Sequence, residues 1–182
     1  MDRQPVLMGE RLVLRPLRCG DWPALFAVAA DPLIWEQHPV HDRWREDVFC
    51  SFFDEAIGAG GALVAIRRSD GAVIGSSQFR ACPIVPNELE IGWTFLARDC
   101  WGTGLNPEMK RLMLDHAMLT EQRVLFRIGE HNVRSRMAIE AIGARLVDGV
   151  IENGEYRGEP IRHVVYEITC ESVLDGQSRR SA

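Results

Sequence analysis

Between residues 88 and 110 the chain reads ELEIGWTFLARDCWGTGLNPEMK. A β-prone run is followed by two closely spaced glycines and then by a helix-forming run, which predicts strand, tight turn and helix. Gly102 and Gly104 allow backbone conformations that a Cβ would block. A helix starting there turns its first free N–H groups, and the positive end of its dipole, toward the turn. Such a place attracts anions and suits a pyrophosphate. Two other phosphate loops are excluded. A Walker loop requires Gly-Lys-Ser/Thr, but Leu105-Asn106 follows Gly104, and a dinucleotide fingerprint requires a third glycine where Pro107 stands. Pro107 suits the first turn of a helix. Taken alone, a Gly-x-Gly turn is also what a ligand-free connection looks like.

Around this segment the pattern predicts one mixed domain. Arg11 to Arg15 alternates like a strand and Pro16 ends it. Asp21-Trp22-Pro23 reads as a helix start with Asp21 as cap, and Asp31-Pro32 stops that helix. Leu33 to Arg45, rich in Trp, His and Pro, reads as a loop. A helix is expected over Glu46 to Ala59, with Gly58, Gly60 and Gly61 marking its end. Ala62 to Arg68 and Val73 to Ala81 form a hairpin around Asp70-Gly71, and Glu88 to Leu96 is a further strand. A helix over Asn106 to Leu119, a strand over Val124 to Ile128, and a helix over Asn132 to Ile142 stopped by Gly143 come next. Strands Arg145 to Ile151 and Ile161 to Thr169 are joined through Asn153-Gly154. The order implies an α/β (α+β) domain over 1–174, with a mixed, mostly antiparallel sheet of about seven strands and helices on both faces. Residues 175–182 read as a disordered tail.

Composition narrows the function classes. The chain is 46% apolar and 26% charged, as ordinary globular domains are, and 182 residues bury a core without disulfides or metals. A net charge of −5 argues against a nucleic-acid partner. It leaves room for an acidic pocket that attracts a cationic amine. Cys19, Cys50, Cys82, Cys100 and Cys170 are scattered and form no CxxC pair, which fits a reducing cytoplasm. His38, His41 and His163 lack metal-ligand spacing, so no metal is expected. No apolar run follows Met1 to Pro5 and none is long enough to span a bilayer, so neither a signal peptide nor a membrane partner is expected.

The frame Asp99-Cys100-Trp101-Gly102-Thr103-Gly104 resembles motif A of the GNAT N-acetyltransferase superfamily, usually Gln/Arg-x-x-Gly-x-Gly/Ala. Asp99 departs from the usual first residue, with Arg98 beside it. The string Gly-Thr-Gly-Leu-Asn at 102–106 is similar to the ribosomal-protein alanine acetyltransferase (RimJ/RimL-like) branch, as is Glu-Arg-Leu-Val-Leu-Arg-Pro-Leu at 10–17. Asn132-Val133-Arg134-Ser135 and Gly143 match the family's Asn-x-x-Ser/Ala and its later Gly-Phe, with Ala144 in place of Phe. The resemblance covers roughly residues 9 to 169.

The resemblance implies acetyl transfer from acetyl-CoA to an amine, by direct attack within a ternary complex. In the family the strand before the glycine turn splays from its parallel neighbour, and the gap takes the pantetheine arm as an extra strand. By position Phe95, Leu96 and Ala97 border the arm, and Gly92 could accommodate the bulge that often marks the splay. Gly102, Thr103, Gly104, Leu105 and Asn106 would hold the pyrophosphate, with Asn132 and Ser135 on the pantetheine side. Glu90 is the candidate base, with Glu88 on the same strand face as the alternative; either is equally readable as a solvated or arginine-paired strand residue. Many members use a tyrosine as leaving-group acid where this chain has Ile139. The branch points instead to Ser135, which is also readable as an ordinary first-turn serine. Asn132 is a candidate helix cap as well.

On the acceptor side Trp35, His38 and Trp93 are candidate substrate contacts, readable also as packing residues. The Asn153-Gly154 region is a candidate overhang at the acceptor entrance. Cys100 beside the turn reads as a loop cysteine, since no histidine base adjoins it, and His116 as a surface or core histidine. Two other functions share the pattern: an acyl-CoA-binding sensor without catalysis, and a structural dimer. Homodimerisation is compatible with any of them.

Overall fold

The computed structural model describes residues 1–81 and 88–170. Cys82, the end of the domain at 174 and the tail 175–182 lie outside the described residues. Eight strands form one sheet: β1 (Leu7–Met8), β2 (Leu12–Pro16), β3 (Ala62–Arg67), β4 (Val73–Ala81), β5 (Leu89–Leu96), β6 (Arg123–Gly129), β7 (Arg145–Tyr156) and β8 (Glu159–Thr169). Their spatial order is β1-β2-β3-β4-β5-β6-β8-β7. Every pairing is antiparallel except β5 with β6. The helices are α1 (Trp22–Ala29), α2 (Pro32–Trp35), α3 (Glu46–Ala59), α4 (Leu105–Ala117) and α5 (Val133–Glu140).

Two cores sandwich the sheet. On one face α4 and α5 cover a largely aliphatic core that includes Leu12, Leu14, Ile91, Met109, Met113 and Ile139. On the other, α1 and α3 cover an aromatic one built on Phe49, Phe52, Phe53, Trp35 and Phe95. Helix α3 follows from its sequence: Phe49, Phe52, Phe53 and Ala56 recur at helical spacing and are buried. Glu46 and Asp47 sit at its positive end, and Gly60 ends it in the left-handed conformation at φ 62°.

Several expectations change. The sheet gains β1, too short to show a period. The loop after Asp31 contains α2, whose first turn Asp31 caps through the Leu33 amide. Asp21 makes no capping bond to α1. Its carboxylate instead accepts from both Arg15 Nη atoms (2.8 and 2.6 Å) and from the Arg18 amide, and the Arg15 bond holds its pKa below the usual carboxylate range.

Asn153-Gly154 is not the hairpin turn. Asn153 pairs with Arg162 and Gly154 with Ile161, and β7 runs on to Tyr156 opposite Glu159. The turn is Arg157-Gly158, with φ of 52° and 82°, the positive pair a tight two-residue hairpin demands. The β7–β8 register sets the turn, since Tyr156 pairs with Glu159 and leaves only two residues between them.

Candidate functional site

Strand β5 carries one residue too many for its partner. Gln78 pairs with Gly92 and Ser76 with Phe95, so two steps along β4 match three along β5. The surplus lies at Trp93-Thr94, and Trp93 takes φ 52°, which is strained for a bulky residue. A surplus residue reverses the alternation of everything after it. Ile91 faces the aliphatic core, yet Phe95 faces the aromatic one and Leu96 the aliphatic. Thr94 is thereby turned toward α4.

The same kink parts the parallel pair. Among the described residues only Leu89↔Val124 and Glu90↔Leu125 join β5 to β6, whereas β6 pairs with β8 through to Gly129. The gap opens onto the glycine turn. Gly102 (φ 71°) and Gly104 (φ 86°) both occupy the left-handed region, and a Cβ at Gly104 would come within 3.1 Å of the Arg11 guanidinium. Arg11 braces the turn by donating to the Thr103 carbonyl (2.8 Å) and to Glu108 (2.8 Å). Gly104 supplies no side-chain cap, so the first amides of α4 are left for another acceptor.

Gap and turn together enclose a cavity of about 630 Å³. Its walls are Trp93 to Leu96 of β5, Gly102, Gly104, Asn106 and Lys110 at the start of α4, Phe126 to Gly129 of β6, Asn132, Ser135 and Ile139 of α5, and Trp35 and His38. Asn132 caps α5 by accepting from the Ser135 amide (3.2 Å). The Asn106 side-chain oxygen is buried without a hydrogen-bond partner among the described residues. That orphan acceptor and the uncapped amides fit an elongated polar guest. At the rim the Arg134 guanidinium lies 4.0 Å over the Trp101 ring, which links α5 to the turn. A smaller basic cleft beside the turn is lined by Arg11, Arg67, Arg68, Thr103 and Leu105.

The sequence-predicted residues divide by position. Phe95, Leu96, Gly102, Gly104, Asn106, Asn132, Ser135, Trp35, His38 and Trp93 line the one cavity. Thr103 and Leu105 face the smaller cleft. The Ala97 amide is taken by the Ile74 carbonyl (2.8 Å). Trp35 is 2% exposed and its indole N–H donates to the Ala29 carbonyl, so it serves the aromatic core as well as the wall. His38 is kept neutral, its pKa pushed well below the usual range by burial and then by Arg43. Trp93 lies under the Arg80 guanidinium at 3.9 Å.

Glu90 accepts from Arg127 Nη1 (2.9 Å), and burial outweighs that arginine in raising its pKa. Glu88 pairs with Arg123 (3.3 Å) and Arg127 (3.7 Å). Asp99 pairs with Arg67 (3.0 Å) and Arg98 with Asp31. Cys100 is 1% exposed and its thiol is pushed up to about 11, chiefly by burial, which disfavours a thiolate. His116 Nε2 donates to the Asp2 carbonyl (2.8 Å). The β7–β8 tip reaches the loop before α3, where Tyr156 donates to Asp42 (2.6 Å) and Arg157 pairs with it (2.9 Å).

Lys110 escaped the sequence reading. It sits in the apolar stripe of α4, 3% exposed, and donates to Thr94 Oγ1 (2.5 Å) and Ser77 Oγ (3.2 Å). Burial lowers its pKa to about 7, with Glu90 opposing. One signal was available: it is the only lysine among 21 Lys and Arg residues. Among the described residues no group of His, Cys, Asp or Glu is placed to hold a metal ion, and no helix is long and apolar enough to cross a membrane.

Solved structures repeat this architecture. A Bacillus anthracis acetyltransferase of the GNAT family superposes with a TM-score of 0.76 at 20% identity, over 92% of this chain and 99% of that one. Mycobacterium smegmatis RimJ, solved with CoA-disulfide, gives 0.73 at 18%, over 93% and 89%. A candidate acetyltransferase from T. thermophilus gives 0.76 at 27%, over 96% and 94%. No curated protein matches the chain. The family described as "Acetyltransferase (GNAT) domain" matches residues 11–145. That match spans well over half of the sequence and takes in the bulged strand and the glycine turn, so the chain belongs to the GNAT acetyltransferase family.

Proposed function

We propose that the protein transfers an acetyl group from acetyl-CoA to a primary amine, of a protein N-terminus or a small molecule, by direct attack in a ternary complex. The observation that carries this is the free edge of β5 beyond Glu90, opening beside the uncapped start of α4. An edge strand with unpaired amides and carbonyls takes an extended, amide-bearing arm as a further strand. The amides of residues 102–106 would hold the diphosphate, and Arg11, Arg67 and Arg68 add positive charge beside them. Asn106, Asn132 and Ser135 would meet the arm from the helix side. The RimJ relative was solved with a CoA disulfide, which is consistent with this use of the fold.

The acceptor must arrive as a neutral amine. Glu90, desolvated and with a raised pKa, is placed by this reading as the base, directly or through a water. Glu88 and Glu152 share its arginine and lend the surrounding face negative charge that draws in a cationic amine. A cytoplasmic homodimer belongs to the same reading, and light scattering tests the dimer.

The experiment is thiol release from acetyl-CoA over a panel of amines that includes short peptides, alongside calorimetry with acetyl-CoA. Release with one class of amine supports the transferase. Tight binding with no release across the panel supports an acyl-CoA sensor instead. No binding at all overturns both.

A further inference from the structure

Resting on that reading, we propose that Lys110 and Thr94 form the proton source for the departing CoA thiolate, Lys110 supplying the proton and Thr94 passing it to sulfur. The role is otherwise unfilled. Ile139, an alkyl side chain, lines the wall where a hydroxyl-bearing residue would serve. Cys100 is too weak an acid, His38 is neutral, and Arg127 and Arg134 cannot give up a proton at ordinary pH. A serine hydroxyl such as that of Ser135 is a poor acid unless an ionisable group stands behind it.

Thr94 has such a group. Lys110 Nζ lies 2.5 Å from Thr94 Oγ1, and both residues line the cavity. Ser77 Oγ, 2.8 Å from Thr94 and 3.2 Å from Nζ, completes a closed hydroxyl–ammonium cluster. The bulge is what turns Thr94 toward α4. Every other strongly basic side chain in the sequence is arginine. A buried positive charge alone would be served by arginine, whereas only lysine can release its proton near neutrality. The groups facing the amine are the Ser77 hydroxyl from β4, Thr94 and the Glu90 carboxylate from β5, and the Phe126 ring from β6 at 5.9 Å; Glu90 is in turn paired with Arg127. Burial outweighs Glu90 and leaves the amine with a pKa of about 7, an acid strong enough to protonate a thiolate.

The step balances. The acceptor nitrogen attacks the carbonyl carbon, the C–S bond breaks, and its electron pair stays on sulfur. Sulfur takes the Thr94 hydroxyl proton, Thr94 takes one from Lys110, and Lys110 is left neutral. The proton shed by the acceptor nitrogen passes to Glu90 or water, and Lys110 is recharged from solvent before the next turnover.

The test combines kcat–pH profiles with NMR of protein labelled with [ε-13C]lysine, in which the single lysine gives a single side-chain resonance. The resonance should titrate near 7, matching an alkaline limb in wild-type kcat. Lys110→Met should lower kcat about 100-fold and flatten that limb, with acetyl-CoA affinity kept within about threefold. Thr94→Val should cost a similar factor while the lysine resonance still titrates low, and it decides the matter if Lys110→Met does not fold. Ser135→Ala should lower kcat with the limb intact. An ordinary lysine pKa, or a wild-type limb in Lys110→Met, overturns the proposal alone. A wild-type protein that releases no thiol with any amine removes the transfer reading and this one together.

Discussion

Strand β6 has two edges, and they behave differently. Toward β8 it is paired from Arg123↔Thr169 to Gly129↔His163, while toward β5, among the described residues, only two residues pair before the strands part. The residues of β6 are the same on both sides, so its own β propensity cannot explain the contrast. The cause lies in β5, whose surplus residue at Trp93-Thr94 falls in the stretch that no longer pairs with β6. The zipped edge holds α5 through Tyr166, whose hydroxyl donates to Glu140 (2.6 Å) and accepts from Arg136 (3.0 Å). The parted edge gives up backbone hydrogen bonding and opens a cavity. One strand thus carries sheet pairing on one side and the candidate site on the other.

That division can be broken at either edge. The largest effect is expected from Gly104→Trp, which needs an unfavourable positive φ and fills the turn. CoA affinity by calorimetry should fall about 100-fold or more, and the strained φ should lower the thermal midpoint by roughly a few degrees. Unchanged affinity would mean that the turn is not the diphosphate site. Next, Lys110→Met should stabilise the protein at pH 5, by on the order of 2 kcal/mol in urea denaturation. Below the folded pKa of about 7 the lysine is charged in both states, so the full cost of burying the ammonium is felt. Between 7 and the unfolded value of 10.5 the folded state sheds a proton that the unfolded state keeps, and the cost is relieved. The stabilisation should therefore shrink as pH rises toward 10; a pH-independent difference would show that Lys110 is not desolvated as described. The smallest effect is expected at the zipped edge. Tyr166→Phe should cost about 1 kcal/mol of stability and leave CoA affinity unchanged, and a parallel loss of affinity would show the two edges to be coupled.

Much of this was legible in the chain, and the misses have physical causes. Helix α3 was readable because glycines at its end are a local signal, and Gly60 is the cap, although Gly58, read as part of the same stop, lies inside the helix. The glycine turn was readable because positive φ leaves a compositional mark at Gly102 and Gly104. Asn153-Gly154 misled because a favourable turn pair was overruled by the pairing of β7 with β8, which runs on to Tyr156 and Glu159. Gly92 pointed to the neighbourhood of the bulge, but the strained conformation fell on Trp93, which Arg80 covers. Lys110 was invisible in the helical pattern because a lone cation there normally faces solvent. Its burial depends on a threonine that the bulge has turned around.

The sequence by itself determined the order of the elements, the anion-ready start of α4 and the membership of the family, since these rest on short-range backbone preferences and on spacing. Only the tertiary structure decided which carboxylates meet Arg127, which walls share one cavity, and that the sole lysine lies inside it. Those depend on strand register and on one surplus residue, and register is settled by packing across the whole sheet rather than by neighbours along the chain.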